Sequence, residues 1–314
     1  MAGQAAPSLK TAIRASFEQN YELSGRELAE LIRSRPLDPE PLYWQAVLVQ
    51  MLAYDEGSFA MLDSFYRLSN RVEALCQSRI SRNSSDARAY LYLGMNRLAR
   101  TNSQSWEQKK GQAARTALTV ASPLRTALKL DSTLTGAYLG LGMTEYFGAM
   151  GNRYLLGLKL LGSKPRAYEF VRTAAQDTGL FRTSARFSLA WMYGDDHRYR
   201  EAVELGQELL REFPGNRSMM RTLRDVHLRE GHYQEAIKLG REIENNLRQS
   251  RPDNRYYWAE NWLKMAQSWD GLGQADSAVA RAGQVLALKG YESCTPWLGT
   301  YLREAGEIRD KYRK

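Results

Sequence analysis

The chain has 314 residues, of which 43% are hydrophobic and 25% charged, and a formal net charge of +9, with a mean hydropathy of −0.53. That balance excludes a disordered polymer, and no stretch reaches the roughly 18 consecutive apolar residues of a membrane-spanning helix, so no transmembrane segment is expected. Because a single core seldom grows past roughly 250 to 300 residues, the length predicts two domains or a stacked array in which each unit packs on its neighbours.

From the start of the chain, Met1-Ala2-Gly3-Gln4-Ala5-Ala6-Pro7 lacks a basic region followed by an apolar stretch, and its small residues look like what remains after a leader is cleaved. An extracytoplasmic or periplasmic home is expected if a leader has been removed, with the cytoplasm as the alternative. Leu28 to Ile32 then form the apolar stripe of a first helix pair, which Pro36, Pro39 and Pro41 close. A frame follows in which a large residue precedes an aliphatic residue by three positions: Trp44-x2-Val47, Tyr90-x2-Leu93-Gly94 and Tyr138-x2-Leu141-Gly142. It continues as Arg186-x2-Leu189-Ala190-x2-Tyr193, then at Met220, and as Trp262-x2-Met265-Ala266-x2-Trp269. The leading positions are 46, 48, 48, 34 and 42 residues apart. An excess of 14 residues is about four helical turns, so the hairpins at 90 and 138 are expected to have both helices lengthened. At the end, Pro296 marks a helix start, and Trp297, Tyr301, Ala305, Ile308 and Tyr312 share one face of an amphipathic helix that caps the array.

The closest internal match aligns Leu189, Tyr193, Tyr199, Ala202 and Pro214 with Leu223, His227, Tyr233, Ala236 and Arg248, each pair 34 positions apart. Thirty-four is the tetratricopeptide period. On these residues the chain resembles the tetratricopeptide repeat family, and its long-then-short arrangement resembles a bacterial subgroup of predicted exported members without an assigned role. The resemblance implies an all-α solenoid of antiparallel helix hairpins, with two extended hairpins in the N-terminal half and a C-terminal capping helix. The expected divisions of this single solenoid over 1–314 are N-terminal hairpins at 8–85, extended basic hairpins at 86–183, tetratricopeptide-like repeats at 184–292 and the cap at 293–314.

In that family the first helix of each hairpin lines a groove that holds a protein or peptide. Carried over position by position, the groove would present Leu139, Met143 and Tyr146, then Phe187 and Trp191, then Arg221 and Asp225, then Leu263 and Gln267. The family's clamp of Lys and Asn side chains for a terminal carboxylate is not matched, because those positions hold Leu91 and Met95, or Leu139 and Met143. A non-catalytic scaffold or adaptor is the expected function, with no cofactor.

The charge supplies an alternative. Between Met95 and Arg172 twelve Lys and Arg face four acidic residues, which is nearly the whole of the net charge. Lys109, Lys110, Arg153, Lys159, Lys164 and Arg166 are the candidate basic surface, suited to an acidic partner or to peripheral contact with an anionic membrane or envelope assembly. The bland counterpart is a solvated helical surface. No nucleic-acid module accompanies these residues, so no specific nucleic acid is expected. Tyr154 to Leu161 is read as a buried helix in preference to a membrane contact.

Catalytic and metal chemistry finds no motif. His197, His227 and His232 lack a HExxH spacing and are expected to serve as turn or packing residues, with no metal. Gly140-Leu141-Gly142 lacks the third glycine of a dinucleotide loop, and its glycines are expected to let helices pack closely. Cys76 and Cys294, without a CxxC spacing, are expected as two buried thiols in helices.

Overall fold

A computed structural model describes residues 7–151, 162–292 and 297–313. The described residues contain α-helices and one short 3-10 helix, and no strand. In chain order the helices are α1 (Leu9–Phe17), α2 (Tyr21–Ser34), α3 (Pro39–Glu56), α4 (Leu62–Arg82), α5 (Ala87–Trp106), α6 (Lys110–Ala117), α7 (Ala121–Leu130) and α8 (Gly136–Gly151). They continue with α9 (Lys164–Gln176), α10 (Arg182–Asp195), α11 (Tyr199–Glu212), α12 (Arg217–Glu230), α13 (Tyr233–Ser250), α14 (Arg255–Gly271), α15 (Ala275–Leu286) and α16 (Leu298–Lys311). Residues 1–51 and 61–189 form one compact unit, and 52–60 with 190–314 form a second.

One turn is used repeatedly to reverse the chain. Gln19, Gly57, Gln108, His197, Gly231 and Gly273 all have φ between 58° and 82°. After each, the next N–H returns to the carbonyl five residues back, as in Asn20 to Ala15 at 2.9 Å, Arg198 to Tyr193 at 2.9 Å, His232 to His227 at 2.9 Å and Gln274 to Trp269 at 3.0 Å. This left-handed closure satisfies carbonyls that a helix end otherwise leaves bare. Helix starts are equally local: Asp86, Asn216 and Asn254 accept hydrogen bonds from the N–H groups of Ala89, Met219 and Tyr257 at 3.0, 2.9 and 3.0 Å. Such side chains fill the opposite deficit, that of unpaired donors in a first turn.

In the first unit α5 and α8 pack on α7, and α8 packs on α9. Glycine makes this possible where the repeat frame placed it. A Cβ on Gly94 would lie 2.5 Å from the Leu124 side chain, and one on Gly142 would lie 2.4 Å from Val171 and 3.0 Å from the Ala167 carbonyl. Close packing is therefore the role of these glycines. The surplus length of the hairpin at 90 is taken up by the 20-residue α5 and by a second helix broken into α6 and α7, not by two lengthened helices. Tyr154 to Leu161, like Cys294 and Pro296, lies outside the described residues. Cys76 is buried, and burial pushes its thiol up to about 12.

In the second unit α11 to α15 alternate as hairpins, and α16 covers α14 and α15. Ala202 and Ala236, 34 residues apart, are both fully buried, as the repeat frame requires. Three of the five residues expected on the cap's apolar face meet the core: Ala305 is buried with Leu263, Ala266, Ala282 and Val285, and Tyr301 and Ile308 pack against this cluster, whereas Trp297 precedes the helix and is 38% exposed and Tyr312 follows its last turn. Covering the last hairpin removes apolar surface that would otherwise face water.

Candidate functional site

In a repeat hairpin, the residue after the aliphatic position of the first helix is normally small, as in Leu189-Ala190 and Met265-Ala266. At the equivalent position after Leu223 stands Arg224, which is completely buried. A buried guanidinium must find acceptors, and these come from its own helix and from α14. Arg224 donates to Asp225 Oδ1 at 2.8 Å and to Asn261 Oδ1 at 2.8 Å, and it lies 3.2 Å from Glu260 Oε1. One turn earlier Arg221 donates to Glu260 Oε1 at 2.7 Å and to the Tyr257 hydroxyl at 3.1 Å, with its guanidinium 4.6 Å from the centre of the Tyr257 ring. Arg221 Nε also lies 2.7 Å from Glu260 Oε2, a close ionic approach in which the N–H is not aimed along the contact.

Burial acts to raise the Glu260 carboxyl, but the two guanidinium groups outweigh it and hold the acid at about 2. Burial likewise acts to lower Arg221, and the Glu260 carboxylate outweighs it, so the pair is ionised. These residues lock α12 to α14 by charge and hydrogen bonding. Beyond them α14 and α16 flank a cleft of about 500 Å³ lined by Gln267, Asp270, Arg303, Glu304, Glu307 and Lys311, with Ile308. Its walls are held by the Gln267 amide on Glu304 at 3.0 Å, and by Lys311 and the Tyr312 hydroxyl on Asp270 at 2.7 and 2.6 Å.

The expected groove residues divide. Leu139, Met143, Tyr146 and Leu263 are 4%, 8%, 0% and 0% exposed, so they are core residues and cannot present a side chain to a partner. The cause is neighbours on several sides: α5, α7 and α9 all pack on α8, while Leu263 belongs to the cluster under the cap. Phe187 is half-buried against Phe17, ring centres 4.8 Å apart. Trp191 is 37% exposed. Arg221 and Asp225 belong to the α12–α14 network, and Gln267 lines the cleft.

The basic surface divides as well. Lys109 pairs with Glu107 at 2.6 Å, Arg166 lies 3.8 Å from Glu145, and Lys164 sits over the Tyr146 ring at 5.4 Å. Arg153 and Lys159 lie outside the described residues. Lys110 is exposed on α6, and so are Arg115 on α6 and Arg125 and Lys129 on α7. Leu118 and Leu130, 77% and 41% exposed, lie among them.

Sequence spacing missed one juxtaposition. His227, Glu230 and His232 come together where α12 turns into α13, their ligand-type atoms all within 4.8 Å of one another. Burial holds the His227 imidazole below its ordinary 6.5.

No family model matches the sequence, and no curated protein matches it. Solved structures do. A chain of the Cut9–Hcn1 hetero-tetramer of the APC/C is similar over 96% of this chain and 52% of its own, with a TM-score of 0.58 at 15% identity. This chain thus spans about half the length of that one. The C-terminal part of a repeat-containing protein from Cytophaga hutchinsonii is similar over 94% of this chain and 99% of its own, with a TM-score of 0.46 at 15% identity. YrrB, a tetratricopeptide protein with an unusual peptide-binding site, is similar over 73% of this chain and 97% of its own, with a TM-score of 0.46 at 13% identity. The fold is that of a tetratricopeptide solenoid.

Proposed function

We propose that this chain is a non-catalytic scaffold that holds a protein or peptide partner on the first-helix face of its C-terminal hairpins, centred on the cleft between α14 and α16. The observation that carries this reading is the cleft wall, where three carboxylates and two cations stand on two helices joined by side-chain hydrogen bonds. Alternating charges on a rigid frame suit the backbone and charged side chains of an extended segment, and they favour one register over another. The test is affinity purification from the native host with wild-type protein and with Glu304→Lys and Glu307→Lys together. A partner retained by wild type and lost by the double variant supports the proposal. Identical recovery with both moves the binding surface elsewhere.

A second reading has its own observation, the exposed cations Lys110 and Arg115 on α6 and Arg125 and Lys129 on α7, with exposed Leu118 in the link between the two helices. Such a patch suits an acidic partner or an anionic membrane surface. Sedimentation with vesicles containing phosphatidylserine, against vesicles of phosphatidylcholine alone, tests the membrane form. Equal binding to both removes it. The extracytoplasmic location belongs to the same proposal, and fractionation of the native host distinguishes it from the cytoplasm.

A further inference from the structure

The turn between α12 and α13 repeats the geometry of the turn between α10 and α11, one 34-residue period earlier. In both, the N–H of the residue that precedes the second helix returns to the carbonyl five positions back, at 2.9 Å. That bond sets the two side chains at its ends beside each other. In the earlier turn they are Tyr193 and Arg198, and the guanidinium rests 4.5 Å from the ring centre. In the later turn the same two places hold His227 and His232, ring centres 6.0 Å apart. The position equivalent to Asp196 holds Glu230, whose Oε2 lies 3.2 Å from His232 Nδ1.

We propose that His227, Glu230 and His232 form a site for one divalent transition-metal ion, with Zn2+ as the best fit to the donors. The donor set is two imidazoles and one carboxylate, which suits zinc and neighbouring transition metals and does not suit the all-oxygen preferences of magnesium or calcium. Bonds of about 2.0–2.2 Å in a tetrahedron place ligand atoms about 3.3–3.6 Å apart. The three donors already lie within 4.8 Å of one another, so the site needs to close by only about 1–1.5 Å. His227 Nδ1 is buried and has no hydrogen-bond partner, a polar atom that a bound ion in this turn would help to satisfy. Glu230 and His232 are exposed, which leaves the fourth position open to water or to a donor from outside.

The site would clip the end of one helix to the start of the next. His227 and Glu230 lie in the last turn of α12, and His232 directly precedes α13. Because Gly231 between them has φ of 82°, the crossing is made at the residue that tolerates it best.

The experiment is titration of the tag-free full chain, stripped with chelator, using Zn2+ in calorimetry and Co2+ in visible absorption. Wild type is expected to take up one equivalent and to show the intense absorption of low-coordinate cobalt. His232→Ala and Glu230→Gln alter exposed side chains and should fold; each is expected to weaken binding by on the order of tenfold or more. His227→Tyr, which installs the residue of the earlier turn, should do the same, while His197→Gly in that turn should bind as wild type does. Absence of saturable one-equivalent binding overturns the proposal. So does binding that the Glu230 and His232 substitutions leave unchanged.

Discussion

Arg217, at the start of α12, donates from Nε to Oδ1 of Asp55 at 3.1 Å across 162 positions of chain, and its Nη2 bonds the other carboxylate oxygen. Both side chains are nearly inaccessible, at 4% and 3% exposure. Asn254 adds to this junction by donating to the Asp55 carbonyl at 2.6 Å. Removing one partner of such a pair costs more than the pair itself contributes, because a buried charge is left uncompensated. Asp55→Ala is therefore expected to destabilise the protein by on the order of 3 kcal/mol, a figure at the low end because Asn246 and Ser250 still accept from Arg217 Nη1. Urea denaturation checks it, and Asp55→Asn should lose less.

The repeat register makes a second expectation. Ala202 and Ala236 are fully buried, and one turn further on Gly206 and Gly240 stand where a Cβ would meet Leu223 at 2.5 Å and Met265 at 2.6 Å. Replacing either alanine by leucine overpacks this seam and should cost about 1–3 kcal/mol. Melting temperatures of the two variants are the measurement, and unchanged values for both would mean that the register is misplaced.

Acid should act on the second unit through Glu260. Its carboxyl is held at about 2 in the folded protein against an ordinary 4.5. The unfolded chain therefore takes the proton first as pH falls. The stability supplied by ionised Glu260 is complete above the ordinary value and disappears as pH falls through about 4.5 toward 2, on the order of 3 kcal/mol in all. Glu260→Gln lacks this dependence. The stability gap between wild type and variant, widest near neutral pH, should narrow through that window in denaturation curves taken at several pH values.

Charge reversal separates the two proposed surfaces. Changing Lys110, Arg115, Arg125 and Lys129 to glutamate should weaken association with an acidic partner and flatten its dependence on salt, since opposite fields speed encounter and ions screen them. The same number of reversals on α11 and α13 should matter less. Surface plasmon resonance at low and high salt reads both, and equal effects would reduce these cations to ordinary solvated surface.

Much of the helical plan is written in local signals: large-to-aliphatic spacing and small residues at helix crossings. Gly94, Gly142, Ala202 and Ala236 sit where those signals put them because close approach excludes larger side chains. The candidate site was less legible, since a family register says which side of a helix faces the groove and not how many neighbours cover it. Leu139, Met143, Tyr146 and Leu263 were lost to the core in this way. Arg224 was invisible for a related reason: an arginine at a position reserved for small residues reads as solvent-facing until its acceptors on α14 are known. The His227, Glu230 and His232 cluster depends on a turn that brings residues five apart together, a spacing absent from helical ligand motifs.

The inclusion of residues 52–60 in the second unit has a consequence for how the protein is made. A ribosome adding roughly 5–20 residues each second releases Asp55 long before Arg217 exists. For the 162 positions between them, the wait is roughly 8 to 32 seconds. Through that interval the carboxylate must stay hydrated, and the stretch around Gly57 has nothing of its own unit to fold against. The C-terminal hairpins produced as a separate fragment would carry the mirror-image defect, with Arg217 and Asn254 deprived of their acceptors on Asp55. The second unit is therefore incomplete without residues 52–60, and cutting the chain near residue 190 would leave it missing a piece synthesised near the beginning.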